Sequence, residues 1–304
     1  MSLVLAPIVE LYRYVLAPIA PFTWFDIGIS TLDVVAIIRL CIALRQLREY
    51  LHAQHVAKAK KQGITVAVEE RSFVRDALTT LTVVYGGEAV AAPLLGVPPS
   101  FMLSGVVPVL YTVTQALVER LPWVPLPDLT NEFPLAIVDG ITRAYLLCNL
   151  IPPSVVGHTS PLVSTSPWTL LLTSLITANG GFFLTGLVSL HQPYSLTLST
   201  PPELLPYGWT TTDIWCAPLM TGFFALLTHA QPFWAELHAV IAGILGAPDT
   251  TKVAPLDPEV ARAVCAVILT TMFTTRAVKN FGGSELPSEK MAKEAEDLKE
   301  KKEQ

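Results

Sequence analysis

Long apolar stretches, each broken by isolated prolines, glycines or charges, alternate with short polar segments along most of the chain. Seven of them reach the roughly 20 residues needed to cross a hydrocarbon core. They cover 22–44, 73–95, 100–121, 131–151, 166–190, 211–233 and 257–280. The fifth has no charge, whereas the fourth carries Asp139 and Arg143 inside it. Residues 1–21 repeat the element VLAPI at 4–8 and 15–19, a spacing that returns to one helical face and predicts an interfacial segment ahead of the first span. The segment 282–304 mixes charges of both signs and reads as a solvated tail.

Composition sharpens this pattern. Only 15% of the 304 residues are charged and 51% are hydrophobic, against about 25% charged in soluble domains. The fold class is therefore all-α, a polytopic membrane protein with seven transmembrane helices. Cys41, Cys148, Cys216 and Cys265 each fall in a different apolar stretch, so packing rather than a disulfide framework is expected. Basic residues crowd the loop after the first span (Arg45, Arg48, Lys58, Lys60, Lys61, Arg71, Arg75) and the end of the chain, while the opposite side has chiefly Lys252. That bias puts the first loop and the C-terminus in the cytosol. The first loop itself, with His52 and His55, is expected to be mobile and solvated.

An internal repeat accompanies the spans. Gly86–Gly87 in the second span recurs as Gly180–Gly181 in the fifth, an offset of 94, and Thr79–Thr80 recurs as Thr173–Ser174 at the same offset. Pro108 and Pro122 recur as Pro218 and Pro232 at an offset of 110. Two three-helix repeats, 22–121 and 131–233, followed by a seventh helix at 257–280, must be inverted with respect to each other, because three spans leave the second copy upside down. Such architectures place functional sites at discontinuous helices near the repeat interface. The glycine pairs are the predicted breaks; paired glycines also let helices approach closely.

With this order of elements the chain resembles the trimeric intracellular cation (TRIC) channels. PFTWFDIGISTLDVV at 21–35 is similar to the family's first span, YGGEAVAAPLLGVPPSF at 85–101 to its kinked second span, and NGGFFLTGLVSL at 179–190 to its fifth. The resemblance covers about 22–281. It implies a homotrimer in the endoplasmic reticulum membrane whose subunits each conduct potassium and other monovalent cations, balancing charge during calcium release or uptake, with the second and fifth spans lining the pore. Pore-lining candidates are Thr82, Gly86, Gly87, Glu88, Thr177, Asn179, Gly180 and Gly181. Animal members bind a phosphoinositide through Lys-Glu-Val-x-Arg in the fourth span. Here that stretch is DGITR, in which Arg143 retains the arginine while Asp139 and Gly140 replace the lysine and glutamate. Arg143 and Asp139 are thus the lipid-binding or gating candidates, and no cofactor is expected beyond a bound anionic lipid.

Several chemical roles stay open. Asp139 and Arg143 are four apart and can pair on one helix face; alternatively Arg143 sits beside the pore or a lipid head group. Glu88 could draw cations into a pore, satisfy amides freed by a break, or pair with Arg143 or Arg39. Asp26 is placed to cap the first span. The six histidines form no metal-ligand spacing, and no phosphate loop, nucleophile elbow, Cys-x2-Cys or nucleic-acid motif occurs, which argues against an enzyme. Inverted repeats also build secondary transporters, and a non-conducting membrane scaffold is the third class.

Overall fold

A computed structural model describes residues 2–20, 28–63, 72–125, 127–193, 196–246 and 253–282. It is mostly helical, and four of its helical stretches are long and apolar enough to cross a membrane: Phe73–Leu94, Leu129–Val156, Pro167–Leu187 and Pro258–Phe281. The expected start of the first span, with Asp26, and the tail at 283–304 lie outside the described residues.

The chain opens with helix α1 (Ser2–Val15), then a two-stranded ribbon of β1 (Pro18–Ala20) and β2 (Ile29–Ser30). Helix α1 packs into the bundle: Tyr12 is fully buried, packed with the core, and its hydroxyl donates to the Ile141 carbonyl at 2.7 Å. Helix α2 (Thr31–Lys61) starts at a capping box, in which Ser30 and Asp33 satisfy each other's backbone amides. It runs on through the loop expected at 45–61. Of the basic residues there, Arg45 and Arg48 find partners on neighbouring helices, while Lys58, Lys60 and Lys61 are exposed.

Helix α3 (Phe73–Leu94) matches the second stretch and begins at Ser72, whose hydroxyl accepts from the Arg75 amide. The third stretch is divided at Ser104–Gly105 into α4 (Ser100–Leu103) and α5 (Val106–Arg120). The fourth is longer than expected. Helix α6 (Leu129–Tyr145) passes through a π-turn at Leu146–Leu150 into α7 (Ile151–Val156), so the helical path continues to residue 156. After the single turn α8 (Pro161–Ser164), helix α9 (Pro167–Leu187) carries the fifth stretch. The sixth stops at Thr228, where His229 adopts a left-handed conformation; α10 (Thr212–Thr228) is followed by a separate helix, α11 (Pro232–Ile244), that the apolar pattern alone did not separate. Helix α12 (Pro258–Phe281) is the last among the described residues and is capped by Asp257.

Two helix pairs organise the bundle, α6 with α12 and α3 with α9. At the first, a Cβ on Gly140 would lie 2.6 Å from the Thr270 Cα, so only glycine permits the approach. Asn149 meets Arg262 at one end and Asp139 approaches Arg276 at the other, so α6 and α12 run antiparallel. The largest apolar core lies between these helices and α10, around Leu147, Met220, Leu269 and Phe273.

Candidate functional site

The second pair brings the two glycine pairs together. A Cβ on Gly87 would lie 2.3 Å from the Thr177 carbonyl oxygen and 2.4 Å from that of Ile176. One on Gly181 would lie 2.0 Å from the Val83 oxygen and 2.8 Å from that of Thr82. These contacts are reciprocal, since Thr82, Val83 and Gly87 each correspond to Ile176, Thr177 and Gly181 at the offset of 94. Gly86 against Gly181 and Gly180 against Gly87 repeat the relation, with a Cβ at 3.0 and 2.7 Å from the opposing Cα. Val83 faces Gly181 while Gly87 faces Thr177, so α3 and α9 cross antiparallel.

This corrects the expectation of broken helices. Both α3 and α9 remain α-helical through their glycines. What the glycines supply is surface without side chains, on which two backbones touch. Gly86, Gly87 and Gly181 are accordingly buried, while Thr82, Glu88, Thr177, Asn179 and Gly180 are half-buried beside the crossing. The hydroxyls nearby are mostly engaged along their own helices, Thr79 with the Arg75 carbonyl and Thr82 with that of Leu78. Asn179 likewise donates to the Leu175 carbonyl at 3.0 Å. Two repeat-related hydroxyls also reach sideways, although Thr80 keeps a bond to the Asp76 carbonyl of its own helix. Thr80 donates to Gln115 on α5 at 3.0 Å, and Ser174 bonds Thr221 on α10 at 2.7 Å.

Glu88 pairs with neither Arg39 nor Arg143. Its carboxylate accepts from the Ser100 amide at 2.6 Å and the Ser100 hydroxyl at 2.8 Å, capping α4 across the turn from α3. It does satisfy a backbone amide, as one expectation had it, but at the start of α4 rather than at a break.

Asp139 and Arg143 also part company. Asp139, buried, pairs with Arg39 of α2 at 2.9 Å and approaches Arg276 of α12 at 4.0 Å. Arg276 in turn holds Asp213 of α10 at 2.6 Å. Arg143 points elsewhere, toward α9, where it donates to the Ala178 carbonyl at 3.4 Å. The (i, i+4) spacing permitted the local pair, but a buried carboxylate gains more from the arginines of two other helices. Removing Asp139 as Asp139→Ala is expected to cost about 2 kcal/mol through the lost charged hydrogen bonds, and Arg143→Gln distinctly less. Thermal unfolding of the detergent-solubilised variants checks the order.

The cytosolic-side ends expected from the basic bias of the sequence hold a second cluster, which sequence reasoning missed. Arg48 binds Asp76 of α3 at 2.6 Å and Glu119 of α5 through both terminal nitrogens, at 3.1 and 2.7 Å. Gln115 donates to Glu119 at 2.7 Å while accepting from Thr80, which extends the network into the bundle. Arg45, also buried, bonds the Val118 carbonyl and, at 3.0 Å, that of Leu121, satisfying the C-terminus of α5. These groups line a recess of about 10 Å³, room for about one water. His191, just past α9, closes its wall; burial pushes its imidazole down to about 4, so at neutral pH it adds no charge to the cluster. The signal for this site was the run of basic residues at 45–48, read as topogenic because charge counting cannot show which carboxylates will face them.

Among the described residues no group of three or more metal-ligating side chains converges. Compared with known proteins, the chain matches no family model, no curated protein and no solved structure.

Proposed function

We propose that the chain is a monovalent cation channel of the TRIC kind, built from two inverted three-helix units, α2–α5 and α6–α10, with α12 as the seventh span. The observation that carries this reading is the reciprocal, antiparallel crossing of α3 and α9 at an offset of 94. Two units related by a two-fold axis in the membrane plane produce such a contact, and it lies at the interface where inverted repeats keep their functional site. The sideways bonds of Thr80 and Ser174, one in each unit, support the same relation.

The path follows the seam beside the crossing. Both helices keep their hydrogen bonds through the glycines, so carbonyls freed by a break are not the ligands. Thr82, Thr177, Asn179 and Glu88, half-buried next to the seam, offer oxygens to a potassium ion instead. With the backbones in contact the seam is shut, and conduction requires α3 and α9 to separate. Trimeric assembly, residence in the endoplasmic reticulum with a cytosolic C-terminus, and contact of Arg143 with anionic lipid belong to the same proposal and rest on the resemblance.

Single-channel recording in planar bilayers under a potassium gradient tests it. Unitary currents reversing near the potassium potential are expected, reduced by Glu88→Gln and altered in gating by Gly180→Leu, whose side chain would force the seam open. Silence in a folded protein overturns the channel. The same shut crossing fits a secondary transporter that alternates by rocking one unit against the other, and proton- or sodium-driven solute uptake in vesicles would then replace the first reading.

A further inference from the structure

The corner between α10 and α11 holds two histidines that the seam does not use. His229 closes α10 in the left-handed region, φ 52° and ψ 43°, and His238 follows on α11. Their rings meet edge to face with centroids 5.1 Å apart, and Nε2 of His229 lies 2.9 Å from Nδ1 of His238. At that distance one nitrogen carries a proton and the other offers its lone pair.

The rest of the corner is held by groups that do not titrate. Gln231 is buried, donates to the Ser164 and Ser166 carbonyls at 2.8 and 3.2 Å, and accepts from the Trp234 indole at 3.0 Å. Trp234 packs with Val155, Leu170 and Ala225. Leu237 packs against the same cluster, so the first two turns of α11 are anchored. Further along, Val240 and Ile244 are 59% and 79% exposed. Among the described residues, the histidine pair is the side-chain hydrogen bond joining α10 to the body of α11.

We propose that His229 and His238 form a proton-operated latch, which holds α11 against α10 while the pair has taken up at most one extra proton and releases it on the second. In the neutral pair, the N–H of one ring donates to the bare nitrogen of the other. A first proton from solvent binds the far nitrogen of the donor ring; the bond survives and becomes charge-assisted. A second proton must take the accepting lone pair itself. The bond is then lost, and two imidazolium rings face each other at contact distance.

The surroundings favour this outcome. Burial first, and then His238, hold His229 below the ordinary imidazole range. The other charged groups on the packed elements are Asp213 at the far end of α10, Glu236, exposed on α11, and, on α12, Asp257 and Glu259 at its start, where Glu259 pairs with Arg13 of α1, followed by Arg262, Arg276 and Lys279 further along. The segment leading into α12 touches the end of α10 through the Leu256 amide, which donates to the Leu227 carbonyl at 2.8 Å. None of these carboxylates acts on His229, whose charged neighbour is His238. The C-terminal carbonyls of α10 favour the first proton, which the latch tolerates. Because His229 is depressed in the latched state, the stabilisation is fully present above about pH 6.5 and is lost as the pH falls.

Spin labelling of the full chain in lipid nanodiscs tests the latch, with a nitroxide on Val240→Cys in α11 and, separately, on Leu162→Cys in α8, a position 87% exposed. The four native cysteines are buried, so labelling is selective. Between about pH 8 and pH 4 the mobile fraction at position 240 should rise several-fold, with its midpoint below the ordinary imidazole value of about 6.5, while position 162 stays unchanged. The double variant His229→Gln/His238→Gln should flatten the response. Constant mobility at position 240, the same transition in the double variant, or simultaneous mobilisation at both positions would each overturn the proposal.

Discussion

Gly181→Ala should destabilise the protein by about 3 kcal/mol, the upper part of the range for overpacking a close-fitted contact. Helix propensity works in the opposite direction, since alanine is favoured over glycine by about 1 kcal/mol in a helix interior. The steric term wins because the added methyl would sit 2.0 Å from the Val83 carbonyl oxygen, on backbone that no rotamer change can move. Gly87→Ala meets the Thr177 oxygen at 2.3 Å, and the reciprocity of the crossing predicts a cost within about 1 kcal/mol of the first. Together the two should cost less than their sum, because helices parted by one methyl have already made room for the other. Gly243→Ala, with nothing within 4 Å, is the control and should be neutral or stabilising. Unfolding in mixed detergent micelles gives all four values. Equal behaviour of Gly181→Ala and Gly243→Ala would show that α3 and α9 are not in backbone contact.

Neutralising Arg48 is the other large effect. Arg48→Met keeps much of the stem but leaves Asp76 and Glu119, with side chains only 7% and 13% exposed, facing each other, with Arg75 3.9 Å from Asp76 as a partial offset. Removing one partner of a buried ion cluster costs about 3–5 kcal/mol, chiefly as uncompensated buried charge. The triple variant Arg48→Met/Asp76→Asn/Glu119→Gln should recover most of the loss, since the cost lies in the stranded carboxylates rather than in a missing attraction. The same unfolding assay reads both. A triple variant as unstable as the single one would mean that Arg48 acts by packing its stem.

Much of this arrangement was legible residue by residue. The apolar stretch at 73–95 placed α3 to within a residue of its observed bounds, and the charge-free stretch at 166–190 placed α9. The offset of 94 identified the glycine pairs as equivalent before either was seen, although their role differed from the expectation. A pair of glycines inside an apolar helix signals either a break or a backbone contact, and only the partner helix decides between them. For Asp139 the sequence offered a neighbour four residues away, whereas the fold offered Arg39 and Arg276, about 100 and 137 positions distant. Spacing along one helix has no access to such partners. The same blindness hid the Arg48 cluster, assembled from α2, α3 and α5. Helix α11 escaped because its apolar residues continue the pattern of α10, and the turn between them depends on His229 taking a positive φ.

The crossing also bears on how the chain is made. Its two faces are separated by about 94 positions, so during synthesis Gly86–Gly87 enters the bilayer long before Gly180–Gly181 exists to cover it. Until α9 is made, α3 presents a bare strip of backbone, and the helix it packs against most extensively is still to come. The first half is therefore a dependent intermediate, exposed to quality control for as long as translation of the second half takes. By the same reasoning, two halves synthesised as separate polypeptides carry complementary surfaces by which to find each other, since the contact that unites them owes nothing to the peptide bonds between.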